Sequence, residues 1–188
     1  MDGSDRVREA LEAVPRAGFL PRGARSRALD DVPILIGHGQ TSSQPSTVSD
    51  MLRLLDVRHG HRVLDIGSGS GWTTALLAYL TGPAGEVLGL ELEPSLAQWG
   101  AANLADTRMP WATIREPVPG VLGDPEHAPW DRILVSAGAE VLPRTLVDQL
   151  TPDGVLVIPV QGRMTRVALE AGRPRTTEHG TYRFVPLR

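Results

Sequence analysis

The chain has 188 residues, enough for one domain with a sizeable core. Its 41% hydrophobic and 22% charged residues fit a folded soluble protein, and its net charge of -3 speaks against a polyanion-binding role. The absence of cysteine excludes disulfides and thiolate metal sites, and 4% aromatic residues give no platform for stacking nucleic-acid bases.

Met1 to Ala10 alternates charged and small residues and lacks the apolar stretch of a secretory leader. No apolar run is long enough to span a bilayer, so the expected location is the cytoplasm. Asp5 to Val14 reads as a short helix that Ser4 can cap, with Val7, Ala10, Leu11 and Val14 on one face and Pro15 as its stop. A Gly/Pro/Arg-rich connection runs to about Arg27. Leu35 to Pro45 is polar and Gly-rich and reads as a loop, the kind of segment that carries function more often than core elements do. Ser46 to Leu55 is helical in pattern.

Strand and helix signals then alternate. Arg62–Ile66 reads as a strand, Trp72–Leu80 as a helix stopped by Gly82 and Pro83, and Glu86–Leu92 as a strand. Pro94–Leu104 reads as a helix with proline in its first turn. Trp111–Arg115 and Arg132–Ser136 follow as strands, then helix Arg144–Leu150 and strand Gly154–Val160. Such alternation predicts an α/β fold with a doubly wound, mostly parallel sheet. The tail from Arg166 to Leu187 holds two weaker strand patterns around Gly172 to Gly180. The chain is expected to form one domain, with residues 1–55 as N-terminal helices and loop, 56–160 as the α/β core and 161–188 as short C-terminal strands.

The most informative stretch is Val63-Leu64-Asp65-Ile66-Gly67-Ser68-Gly69-Ser70-Gly71. A buried strand ends in an acid and turns through three glycines into a helix, at the carboxyl end of a strand where open parallel sheets bind ligands. The dinucleotide fingerprint G-x-G-x-x-G is not met, because Trp72 stands where the third glycine belongs, and the P-loop lysine is missing. An acid before the loop repels phosphate, whereas the Asp65 carboxylate suits a ligand with a positive amino group. Glu91 ends the next strand 24 residues after Gly67, a spacing that fits an acid bonded to a ribose diol. An amino acid plus a ribose, without phosphate, describes S-adenosylmethionine. A nucleotide-dependent oxidoreductase is disfavoured by the glycine spacing.

The chain also resembles the protein-L-isoaspartate (D-aspartate) O-methyltransferase family. The resemblance is carried by Val14-Pro15-Arg16 with Phe19-Leu20-Pro21, by Ile36-Gly37-His38-Gly39-Gln40-Thr41-Ser42-Ser43-Gln44-Pro45, and by the glycine loop. It continues through Pro125 to Asp131 and Val135-Ser136-Ala137-Gly138-Ala139 to the closing Arg183-Phe184-Val185-Pro186-Leu187. The resemblance implies a Rossmann-like methyltransferase fold. It implies methylation of the α-carboxylate of L-isoaspartyl residues in a damaged protein or peptide, followed by spontaneous succinimide closure and hydrolysis that returns some normal aspartyl.

By position, Ser43 matches the family's active-site hydroxyl, and Thr41 and Ser42 lie in the loop that covers the cofactor. Gly67, Ser68, Gly69 and Gly71 match the cofactor loop, and Glu91, with Leu92 beside it, the ribose site. Gln44 and Ser136 are assigned to substrate. His38 reads as a loop-ordering side chain, and His127 has no second ligand at metal spacing, so no metal is expected. The expected enzyme is a monomer that binds neither nucleic acid nor membrane.

Two departures stand out. Where the family usually has Gly-Asp-Gly, with the aspartate near the adenine, this chain reads Val118-Pro119-Gly120, and Pro119 offers the adenine amine no side-chain acceptor. The segment after Val160 is shorter and more polar than usual. These leave open a tailoring methyltransferase that esterifies an aspartate of a dedicated peptide, and a cofactor-binding homologue without turnover.

Overall fold

The computed structural model describes residues 3–188, with side chains from Asp5 onward. The Ser4 cap, and Met1 and Asp2 of the segment read as lacking a leader, lie outside what is described. Helix α1 (Gly3–Ala13) is followed by two 3-10 turns, Arg16–Phe19 and Arg22–Arg27. A hairpin of β1 (Ile34–Gly37) and β2 (Gln40–Ser42) leads into α2 (Pro45–Leu55). The core elements are β3 (Arg62–Ile66), α3 (Trp72–Thr81), β4 (Glu86–Leu90), α4 (Pro94–Ala105), β5 (Ala112–Arg115), β6 (Trp130–Val135), the short α5 (Arg144–Val147) and β7 (Leu150–Val160). Strands β8 (Arg163–Glu170) and β9 (Arg173–Thr181) close the chain.

The seven-stranded sheet has the order β5-β4-β3-β6-β7-β8-β9. Strands β3 to β7 pair in parallel, and β8 and β9 pair antiparallel at one edge. The chain winds outward from β3 through β4 to β5, then returns to start again at β6 beside β3. That reversal opens a crevice at the carboxyl ends of β3 and β6. The sheet is doubly wound and mostly parallel, as the strand–helix alternation predicts.

Period-two alternation sorts the strand residues between two cores. Val63, Val87, Leu134 and Val157 pack with α1 to α4 on one face. Leu64, Leu88, Ile133 and Leu156 pack with Leu146 of α5 and with loop and tail residues on the other. Among the described residues, no helix is long and apolar enough to cross a membrane.

The segment read as a loop, Leu35 to Pro45, instead contains the β1–β2 hairpin. Ile34 and Ile36 are buried while Leu35 points outward, a period-two pattern hidden by the polar residues that follow. The turn residues His38 and Gly39 have φ of +52° and +70°. Two successive left-handed residues match the twist of a hairpin, and glycine adopts that conformation without strain. The same X-Gly device, Gln161-Gly162 and Ala171-Gly172, joins β7 to β8 and β8 to β9. The tail strands therefore run longer than their weak apolar pattern suggests.

Candidate active site at the glycine loop

The loop after β3 is built on backbone hydrogen bonds. Gly67 and Ser68 both donate to the Leu90 carbonyl at 2.8 and 3.1 Å, and Gly71 donates to Ser68 at 2.9 Å. All three glycines have positive φ. Their roles differ by what surrounds them. A Cβ on Gly67 would meet Ser136 at an ordinary 3.6 Å, so this glycine lines the crevice. A Cβ on Gly69 would press on Ile36 Cδ1 of β1 at 3.1 Å. A Cβ on Gly71 would lie 2.8 Å from the Gly100 carbonyl of α4, so Gly71 serves the packing of helix against loop.

Glu91 is buried and holds the loop. One oxygen accepts the Gly69 N–H at 2.8 Å, and the other accepts the Glu93 N–H at 2.9 Å. Each carboxylate oxygen keeps a further lone pair for a ligand.

The structure brings Thr41, Gly67, Glu91, Leu92 and Ser136 together on one cavity of about 110 Å³. Its rim is completed by the C-terminal segment, where Gly138 donates to Val185 and Leu187 donates back to Gly138, both at 2.8 Å. A more open apolar hollow of about 510 Å³ adjoins it, lined by Leu92, Pro117, Val118 and Val121. There Val118-Pro119-Gly120-Val121 forms a turn closed by a 3.0 Å hydrogen bond, with Gly120 at φ +76°. A larger cavity, about 970 Å³, lies around His59, Gly82, Pro83 and Trp111. Those residues sit at the amino ends of β3 to β5, away from the switch point, so volume alone does not choose the site.

Asp65, Ser42, Ser68, Ser43 and Gln44 sit elsewhere. Asp65 shares pleat parity with Val63, so its side chain enters the α3 core and is fully buried. One oxygen accepts the Thr74 hydroxyl at 2.7 Å, and the other has no partner. Burial raises its pKa from 3.8 to about 7, opposed by the Thr74 hydrogen bond and reinforced by the charge of Glu91. The residue expected to favour a positive amino group thus lies beneath the loop, with its side chain off the cavity wall. Ser68 is also buried, and its hydroxyl has no partner.

Ser42 is buried against Arg16. That guanidinium, itself buried, donates to the Ser42 hydroxyl at 3.1 Å, the Ser42 carbonyl at 2.9 Å, and the carbonyls of Val32 and Asp30. It lies 5.5 Å from the Trp72 ring centre. Ser43 and Gln44 are half-buried beside it. Gln44 donates to Ser46 at 3.0 Å. His127 lies 2.9 Å from the buried Asp124, which also accepts from Arg115 at 2.8 Å, and this cluster orders the loop after β5. Among the described residues there is no cluster able to hold a metal.

Arg16 and the C-terminal Val185 to Leu187 stand in motifs that the sequence displays, but their places beside the site were missed. Nothing in local spacing signals a contact 26 residues away. Thr74 as the partner of Asp65 was also missed, although it sits on the loop-proximal turn of the next helix.

The crevice chemistry fits a zwitterionic nucleoside. Two buried polar atoms lacking partners underlie the glycine loop, a carboxylate with spare lone pairs stands at the end of β4, and an apolar hollow adjoins them.

Comparison with known proteins agrees. A model of the protein-L-isoaspartate(D-aspartate) O-methyltransferase family matches residues 1–188. A protein-L-isoaspartate O-methyltransferase of Methanopyrus kandleri is 44% identical over 192 residues, covering 98% of this chain and 84% of the relative. One from Aeropyrum pernix is 46% identical over 162 residues, covering 84% of this chain and 60% of the relative. Among solved structures, a Plasmodium falciparum protein described as a protein-L-isoaspartate O-methyltransferase, in complex with S-adenosyl-L-homocysteine, superposes with a TM-score of 0.87 at 27% identity, covering 98% of this chain and 90% of that one. The chain belongs to the protein-L-isoaspartate(D-aspartate) O-methyltransferase family.

Proposed function

We propose that this chain transfers a methyl group from S-adenosylmethionine to the α-carboxylate of L-isoaspartyl residues in damaged proteins or peptides. The observation that carries the reading is one crevice that joins Thr41, Gly67, Glu91 and Ser136 in a chain matched from end to end by the family. The cofactor supplies a methyl on a sulfonium, activated for displacement. Glu91 would hold the ribose diol with the lone pairs left over from Gly69 and Glu93. Gly67 lets the backbone lie against the amino-acid part. Asp65, buried beneath the loop, favours the positive amino group through its field. Leu92, Pro117, Val118 and Val121 offer the adenine an apolar seat, in place of the acid that the family usually carries there.

The substrate carboxylate is already ionised near pH 7, its ordinary pKa being about 4, so no general base is needed. The work of the protein is alignment, and holding two reactants at near-attack geometry supplies up to roughly 7–11 kcal/mol in favourable systems. We assign Ser43 to donate a hydrogen bond to one substrate oxygen and so turn a lone pair toward the methyl. Gln44 and Ser136 flank the substrate, and Thr41 and the hairpin that bears it cover the cofactor. Arg16 fixes the peptide just before Ser43. The reading takes residues 1–188 as one monomeric cytoplasmic domain that engages neither nucleic acid nor membrane, in keeping with its acidic balance.

The test is radiolabelled methyl transfer to an isoaspartyl peptide and to its aspartyl twin. The proposal expects label on the isoaspartyl form alone. Label confined to the aspartyl form supports the tailoring reading, and binding of S-adenosylhomocysteine without transfer to either supports a homologue that lacks turnover.

A further inference from the structure

The β1–β2 hairpin is held at two places of very different strength. At its base, beside Ser42, the buried Arg16 makes four hydrogen bonds, two of them to Ser42 itself. Severing these would strand a charge and several carbonyls away from water, which is costly. At its tip, the His38 ring reaches across to the first turn of α4. Its Nε2 lies 2.8 Å from the Ser95 hydroxyl and its Nδ1 lies 3.5 Å from Glu93 Oε1. Ser95 in turn donates to Glu93 Oε1 at 3.1 Å. This triangle is exposed, with 49% of the His38 side chain and 32% of the Glu93 side chain open to solvent. Water competes for every contact in it, so it opens at small cost.

Between base and tip, Gln40 and Thr41 form part of the crevice wall, and Ile36 lies against Gly69. Beneath them Ile34 and Ile36 pack on Leu96 of α4, so apolar contact assists closure. The tip is also wired to the cofactor side. The Glu93 N–H binds one oxygen of Glu91, whose other oxygen holds the Gly69 N–H.

We propose that the hairpin is a flap hinged at Arg16 and latched at its tip by His38 on Ser95 and Glu93, and that the latch sets the residence time of the nucleoside in the crevice. The proposal rests on reading this crevice as the S-adenosylmethionine site. In it His38 is a positioning residue. It touches neither methyl nor acceptor and acts by holding Gln40 and Thr41 against the bound nucleoside.

The experiment measures the dissociation rate of S-adenosylhomocysteine by stopped flow, together with KM for S-adenosylmethionine and kcat. The proteins are the wild type, Ser95→Ala, His38→Ala and His38→Gln. Glutamine can place an amide near the Nε2 position and keep the Ser95 bond. Alanine and glutamine both lack the tolerance of histidine for a left-handed backbone, so their comparison isolates the side-chain contact. Ser95→Ala removes the shorter arm of the latch without altering the turn and leaves only the 3.5 Å contact of His38 with Glu93.

The latch predicts roughly three- to tenfold faster dissociation in Ser95→Ala and His38→Ala, the range that one net hydrogen bond spans. KM for the cofactor rises with it, kcat does not fall, and His38→Gln returns the rate toward wild type. Unchanged dissociation in both alanine variants, equal rates for His38→Ala and His38→Gln, or a fall in kcat at constant KM overturns the latch. If the wild type itself fails to bind S-adenosylhomocysteine, the fault lies with the crevice assignment instead.

Discussion

Asp65 offers the sharpest quantitative test, because burial sets a sign and a size. Its folded pKa of about 7 stands above the ordinary 3.8. Below pH 3.8 the carboxyl is neutral in both folded and unfolded chains, and the folded state bears no ionisation cost. Above pH 7 it is ionised in both, and the cost is complete. At about 1.4 kcal/mol per pH unit, the interval from 3.8 to about 7 amounts to roughly 4 kcal/mol of stability lost as pH rises. Integrating the two titration curves places roughly 2–3 kcal/mol of that loss between pH 5 and pH 8.

Asp65→Asn cannot ionise. Its amide carries a fixed cost of its own, since one side of the pocket has no partner, but that cost does not vary with pH. The difference in stability between wild type and variant should therefore move in favour of the variant by about 2–3 kcal/mol from pH 5 to pH 8. At about 2–4 °C per kcal/mol for a chain of this size, the Tm difference should change by roughly 5–10 °C. Thermal unfolding of both proteins across that range, in one buffer series, measures it. The same variant should bind S-adenosylhomocysteine several-fold more weakly, because a negative field beneath the amino group has been removed. A Tm difference that stays flat from pH 5 to pH 8 would refute the argument from burial, whatever happens to binding.

Two other substitutions divide stability from chemistry. Gly71→Ala should destabilise the fold by about 2–4 kcal/mol, since the residue sits at φ +92° and the new Cβ would lie 2.8 Å from the Gly100 carbonyl; denaturant unfolding checks this, and a change below about 0.5 kcal/mol would contradict it. Ser43→Ala should reduce kcat by roughly tenfold or more, the loss expected for one oriented hydrogen bond to a charged group, while calorimetry finds the cofactor affinity unchanged. Equal kcat in that variant removes Ser43 from the proposed alignment.

Much of the α/β core was legible because its signals are local. Short, mostly apolar stretches such as Val63 to Ile66, broken only by Asp65, and Ile133 to Val135, with prolines and glycines between helices and strands, fix which segments can be strand or helix. The hairpins were harder to see. Their signal lay in three X-Gly pairs rather than in apolar alternation, and around His38 the polar residues that follow masked the alternation of Ile34 and Ile36. The candidate site divided in a similar way. Gly67, Glu91 and Thr41, which line the cavity, can be picked out from spacing and motif, whereas the burial of Asp65 beneath the loop cannot.

The sequence by itself determined the glycine turn, the acid at the end of β4 and membership of the family, because these depend on residues near one another in the chain and on motif identity. Only the tertiary structure decided that Asp65 points into the α3 core, that Glu91 holds both Gly69 and Glu93, and that Arg16 anchors Ser42. It alone brought the C-terminal segment to the crevice. The physical reason is that pleat parity fixes two possible faces for a side chain, and the helix that packs on each face decides what that side chain meets. That choice, like a hydrogen bond between residues 26 positions apart, is settled when the layers close and not before.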